Sequence, residues 1–128
     1  MSKVILITGT SRGIGRYLAE YYLKKNFIVI GCSRGKIDLN IKNYQHYSLD
    51  VSDEKIVKSM FSEIRTKYNK LDYLINNAGI ASMNHSLLTS LDTVNKIMNT
   101  NLVGTFLFCR EGSRLMQPKN FGRIINFS

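Results

Sequence analysis

The residues best equipped to do chemistry fall in a few short segments. The first is Thr8-Gly9-Thr10-Ser11-Arg12-Gly13-Ile14-Gly15. It follows an apolar run and opens a stretch with helical spacing, the context in which a glycine-rich turn carries meaning. Gly9 permits a tight turn out of a strand. Gly13 leaves the backbone bare for a close-lying pyrophosphate, and Gly15 lets the helix pack closely on the strand. With Ser11, Arg12 and Ile14 between the glycines, exposed N–H groups and the positive helix end suit the phosphates of a dinucleotide. The spacing is G-x-x-x-G-x-G rather than the commoner G-x-G-x-x-G, and the competing reading is a glycine turn with no ligand.

The second segment is Gly31-Cys32-Ser33-Arg34-Gly35. An NAD-binding unit of this type places a carboxylate here for the ribose 2′-OH. This stretch has none. Arg34 lies 19 residues after Gly15, near where the ribose should fall, and Arg12 sits in the glycine turn. Together they can fork around a 2′-phosphate, with Ser33 adding a hydroxyl. The expectation is NADP(H) preferred over NAD(H). The competing reading is a solvated loop arginine.

Asp50-Val51 ends a third apolar run. Asp50 can accept from an adenine amino group and Val51 can bond the ring through its backbone; a simple turn aspartate is the alternative. Asn76-Asn77-Ala78-Gly79 ends a fourth run. Paired asparagines can bond backbone groups of neighbouring strands, and Ala78 and Gly79 leave room for a ring. An ordinary Asn-Gly-rich turn is the alternative.

The elements that must position these segments follow from hydrophobic periodicity. Strands are expected at 3–8, 27–32, 45–49, 72–76 and 122–128. A helix over 14–25 would bury Ile14, Leu18, Ala19, Tyr22 and Leu23, with Asn26 as its stop. A helix capped by Ser52 and running to Tyr68 would bury Ile56, Val57, Met60, Phe61 and Ile64. A long helix over 90–117 would bury Leu91, Val94, Ile97, Met98, Leu102, Phe106 and Leu107, bend at Gly104 and end at Pro118. The stretch 33–44 has room for at most a short helical turn. Apolar strands alternating with helices imply an α/β, doubly wound parallel sheet (a Rossmann fold) in one domain over 1–128.

Composition narrows the function classes. The chain is 44% hydrophobic and 21% charged, which excludes a disordered tail. No apolar run approaches the roughly 20 residues of a membrane span, and the apolar start is too short for a signal peptide. Cys32 and Cys109 make no disulfide framework, so a cytoplasmic setting is expected. The net charge of +9 forms no dense block and leans toward the N-terminal third. The aromatic residues sit mostly at core-type positions, so no nucleic-acid partner is expected. His46 and His85 lack partners at metal-ligand spacing, and no metal is expected. Met83 and Cys32 are weak candidates for ligand contact.

Taken together, these motifs resemble the short-chain dehydrogenase/reductase family in its compact form. Asn101-Leu102-Val103-Gly104 and Gly122-Arg123-Ile124-Ile125-Asn126-Phe127-Ser128 match its pattern as well. The resemblance implies strand order 3-2-1-4-5, with strands 6 and 7 lying beyond this chain. It implies a nicotinamide cofactor and hydride transfer to or from a carbonyl or alcohol carbon of a small molecule. It gives Asn101 a catalytic role, its carbonyl holding a water that links the catalytic lysine to solvent. Arg12 and Arg34 make the chain similar to NADPH-preferring reductases of the 3-oxoacyl-carrier-protein type. The family's homodimers and homotetramers are expected of the full-length form.

One departure bears on activity. By alignment Ser128 is the first of the family's two serines; the catalytic serine and the Y-x-x-x-K motif would follow it. Tyr21 to Lys25 fits that motif by spacing, but it lies in the first helix, far from the cleft. The chain as given is therefore expected to be an inactive cofactor-binding portion. A non-catalytic nucleotide-binding remnant and a basic nucleic-acid module remain as alternative readings.

Overall fold

In the computed structural model, which describes residues 2–37 and 40–128, the first strand is β1 (Val4–Thr8), every residue of it buried. Its β-branched run suits a strand covered on both faces. The glycine turn leads into α1 (Gly13–Lys24), which ends where Asn26 takes the left-handed conformation at φ 65°. β2 (Ile28–Ser33) and β3 (Tyr44–Ser48) follow. No helix forms between them among the described residues, and residues 38 and 39 of that connection lie outside the description.

α2 spans Glu54–Tyr68. Its N-cap is Asp53, whose carboxylate accepts from the Ile56 N–H, and not the expected Ser52. Ser52 is already committed: its backbone N–H and hydroxyl both donate to Asp50 Oδ1. Glu54 in the first turn and Arg65 and Lys67 in the last suit the helix dipole. β4 (Tyr73–Asn76) leads through a loop to α3 (Leu91–Met98), capped by Ser90. A π-helical turn at Asn99–Val103 joins α3 to α4 (Gly104–Met116), and β5 (Arg123–Asn126) closes the chain.

The five strands are parallel in the order β3-β2-β1-β4-β5, as expected. Side chains alternate across the sheet. Val4, Leu6, Ile30 and Leu74 meet α2 and α4, where Phe61 and Phe108 pack edge to face. Ile5, Ile7, Val29 and Ile75 meet α1 through Ala19, Leu18 and Tyr22. Arg110 ties α4 to α2 by bonding Glu54 and the buried Glu111. Among the described residues no helix is long and apolar enough to cross a membrane.

Several inward assignments are corrected. Ile14 is 62% exposed because it sits in the first turn of α1, before the helix packs over the sheet at Ala19. Ile56 is exposed at the start of α2. The long helix is interrupted at Asn99, before Gly104, and the wider π turn shifts its phase. Leu91, Val94, Met98, Leu102 and Phe106 are exposed and Ile97 is half-buried, whereas Leu107 is buried. Gly104 serves close packing instead: a Cβ there would meet Val51 Cγ2 at 2.6 Å.

Candidate functional site

The cleft lies beyond the carboxyl ends of the strands, where the strand order reverses between β1 and β4. In an open α/β sheet that position is where ligands bind. It encloses about 330 Å³. Its walls include Gly9, Ser11, Arg12, Gly13, Ser33, Arg34, Val51, Asn77, Ala78 and Gly79, all singled out from the sequence. Cys32, weighed from the sequence as a ligand contact, also lines it, as do Leu49, Ile80 and Thr100, which were missed. Ile14, Gly15, Asp50 and Asn101, also singled out from the sequence, are not among the lining residues.

The glycine turn behaves as its residue types dictate. Gly9 (φ 76°) and Gly13 (φ 61°) occupy the left-handed region that disfavours side chains. Nothing lies within 4 Å of a Cβ built on Gly13, so its backbone faces open space. Gly15 is the opposite case, since a Cβ there would collide with the Gly9 carbonyl and with Asn77 Nδ2. The N-cap of α1, Arg12, makes no side-chain cap bond, and the first turn holds no acidic residue. A helix start without a cap, beside a bare glycine, offers donors and a positive field to an anion. The residues present therefore fit a dinucleotide diphosphate.

The floor is held by Thr8, 2% exposed at the end of β1. Its hydroxyl oxygen accepts from the backbone N–H of Asn77 (2.9 Å) and of Ala78 (2.8 Å). Asn77 Nδ2 donates back to the carbonyls of Thr8 and Gly9. So Asn77 does stiffen the floor by backbone bonds. Asn76 differs: it donates to the side chain of Asn126 on β5 at 2.8 Å. Thr8 could have been suspected as a buried hydroxyl directly before the first glycine.

The far end of the cleft carries the basic side chains. Arg34 donates to Thr100 Oγ1 at 3.3 Å and pairs with Asp50 Oδ2 at 3.7 Å. Partial burial works to raise the Asp50 carboxyl, but the two Ser52 bonds and the Arg34 charge outweigh it and hold the group below its ordinary value. Burial pushes the Cys32 thiol up to about 12, against a small opposing bond from Gly9. Below the cleft, Thr10, Tyr44, His46 and Ser33 form a hydrogen-bonded chain.

Asn101 sits inside the π turn. Its side chain clamps Ile80, accepting from the N–H and donating to the carbonyl, each at 2.8 Å. Its own carbonyl accepts from the Thr105 hydroxyl at 2.9 Å. A π turn frees backbone groups and recurs at functional sites. Met83 is 99% exposed and His85 caps a short turn by accepting from the Leu87 N–H, and neither is among the residues that line the cleft.

A parallel, doubly wound sheet of this strand order, with a glycine turn between the first strand and helix, defines the Rossmann fold. A family model described as short chain dehydrogenase matches residues 3–128, and the chain belongs to that family. It is 36% identical over 129 residues to the 3-oxoacyl-[acyl-carrier-protein] reductase FabG of Salmonella typhimurium, covering 96% of this chain and 53% of that protein. The structure of ElxO with NADP bound superposes with a TM-score of 0.92 at 34% identity, covering all of this chain and 56% of the other. A short chain dehydrogenase from Leptospira borgpetersenii with bound NAD+ gives a TM-score of 0.93 at 30% identity, covering all of this chain and 52% of that one. The chain thus spans about half the length of the relatives it matches.

Proposed function

We propose that this chain is the cofactor-binding portion, one domain over 1–128, of an NADP(H)-dependent oxidoreductase that interconverts a small carbonyl compound and its alcohol. The observation that carries the reading is the uncapped start of α1 beside open Gly13, with Arg12 and Arg34 lining the same cleft. The nicotinamide cofactor, when bound, supplies the hydride. Gly9, Ser11, Gly13, Ile14 and Gly15 shape the turn that receives the diphosphate. Arg12, Ser33 and Arg34 receive the 2′-phosphate, Arg34 exchanging its long contact with Asp50 for a charge-assisted one. Asp50 and Val51 border the adenine, and Asn77, Ala78 and Gly79 form the floor beneath the nicotinamide half. Asn101 orients the catalytic side through its carbonyl and its clamp on Ile80.

Similarity to a 3-oxoacyl reductase supports a 3-oxoacyl-type substrate, and similarity to ElxO with NADP supports the phosphorylated cofactor. The full protein is proposed to be a cytoplasmic homodimer or homotetramer; the exposed stripe of Leu91, Val94, Met98, Leu102 and Phe106 suits self-association. The 128-residue chain by itself is expected to bind nucleotide without reducing substrate.

Fluorescence titration with NADPH and NADH tests the reading. One charge-assisted contact to the 2′-phosphate corresponds to roughly tenfold in affinity, so NADPH is expected to bind at least that much tighter. Arg34→Ala is expected to remove most of the difference. Equal or tighter NADH binding, unchanged by Arg34→Ala, overturns the 2′-phosphate assignment.

A further inference from the structure

We propose that His46 is a positioning residue for cofactor selectivity, fixing the Ser33 hydroxyl as a proton donor toward the cleft. The inference rests on the nucleotide reading above and adds a residue that no motif assigns. His46 lies on β3, and both its ring nitrogens are engaged. Nε2 is 2.8 Å from Ser33 Oγ and Nδ1 is 2.8 Å from the Tyr44 hydroxyl. Tyr44 in turn is 2.9 Å from Thr10 Oγ1, which lies in the glycine turn. Gly31 makes room for this pair, because a Cβ there would strike both hydroxyls.

Proton counting gives the chain a direction. Ser33 has one hydroxyl proton and directs it to the Gly35 carbonyl at 3.1 Å. With that proton on the carbonyl, the 2.8 Å contact with His46 is assigned as donation from Nε2–H to Ser33 Oγ. Nδ1 is left bare and accepts from Tyr44 O–H, and the Tyr44 oxygen accepts from Thr10. Burial favours neutral His46 against the opposing effect of the nearby Gly35 backbone, and it also favours protonated Tyr44 against the opposing effect of the Thr10 bond.

The selectivity follows from what Ser33 can offer. With His46 donating to it, Ser33 keeps its own proton free to turn from Gly35 toward a ligand. A phosphate dianion accepts only, so this state suits NADP. In the reverse tautomer the Ser33 proton would be consumed by Nε2, leaving lone pairs facing the phosphate. A ribose 2′-hydroxyl donates or accepts, so NAD is indifferent to the choice.

The test is paired NADPH and NADH titration of the chain and of His46→Ala and His46→Gln. Loss of the oriented donor to a charged group is expected to lower the NADPH/NADH affinity ratio of His46→Ala roughly tenfold, with NADH affinity held within about twofold. His46→Gln, whose amide N–H replaces Nε2–H, is expected to keep the ratio. An unchanged ratio in His46→Ala overturns the proposal, and so does an equal loss for both nucleotides, which a merely structural role would give. Should His46→Ala fail to fold, nitrogen-15 spectra of wild-type His46 decide, with His85→Gln assigning the signals: protonated Nε2 is expected, and protonated Nδ1 overturns the proposal. Wild type that binds neither nucleotide refutes the nucleotide reading and this inference with it, an outcome distinct from a flat ratio.

Discussion

Replacing Thr8 by Val keeps the shape of the side chain and removes one oxygen. In the fold that oxygen accepts two backbone N–H groups, from Asn77 and Ala78. The substitution leaves both donors without a partner behind a residue that is 2% exposed. Each orphaned buried donor costs about 1–3 kcal/mol. Asn77 and Ala78 are only half-buried, so water can reach them in part and the lower end applies. The expected loss is therefore about 2–3 kcal/mol, a large share of the roughly 5–15 kcal/mol that holds a typical domain together. At a urea slope of about 2 kcal/mol per molar, the midpoint of unfolding should fall by about 1–1.5 M. Thr8→Ser keeps the oxygen and loses only a methyl, so its cost should stay near 1 kcal/mol. A Thr8→Val midpoint within about 0.3 M of wild type, or a larger loss for Thr8→Ser, refutes the claim that this hydroxyl holds the cleft floor.

Three further outcomes are expected. Gly104→Ala pushes a methyl into Val51, which lines the cleft, so urea unfolding should show a loss of about 1–3 kcal/mol and titration should show weaker nucleotide binding. With Cys32 fully buried and its thiol held at about 12, alkylation at pH 8 should label Cys109 rapidly and leave Cys32 untouched until unfolding; equal labelling contradicts the packing. The Asp50 carboxyl is depressed in the fold, so the stability it contributes is present above its unfolded value near 3.8 and is lost as pH falls through the folded value. Asp50→Asn should flatten that acid limb in pH-dependent unfolding and leave the slope above pH 6 unchanged.

Much of this fold was readable because buried parallel strands write themselves as continuous apolar runs. Val4–Thr8 and Ile28–Ser33 fell within a residue or two of expectation. The glycine turn was legible because each glycine answers a steric demand. The buried faces of the later helices were misread for two reasons. The π turn at Asn99–Val103 breaks the 3.6-residue phase, and Leu91, Val94, Met98, Leu102 and Phe106 are apolar without being inside. Ser52 and Asp53 are both good caps, and only the geometry of the Asp50 turn decides between them. Thr100 escaped notice and His46 was weighed only as a metal ligand, because their partners, Arg34 and Ser33, are brought to them by the fold and not by sequence spacing.

Amide shift perturbation in proton–nitrogen spectra, recorded while NADPH and then NADH are added, tests the central claim most directly. Both nucleotides should move the Gly13, Ile14 and Gly15 amides at the start of α1, and NADPH should move Ser33, Arg34 and Gly35 further than NADH does. Shifts that leave the α1 start untouched, or that are the same for both nucleotides around Arg34, would contradict it.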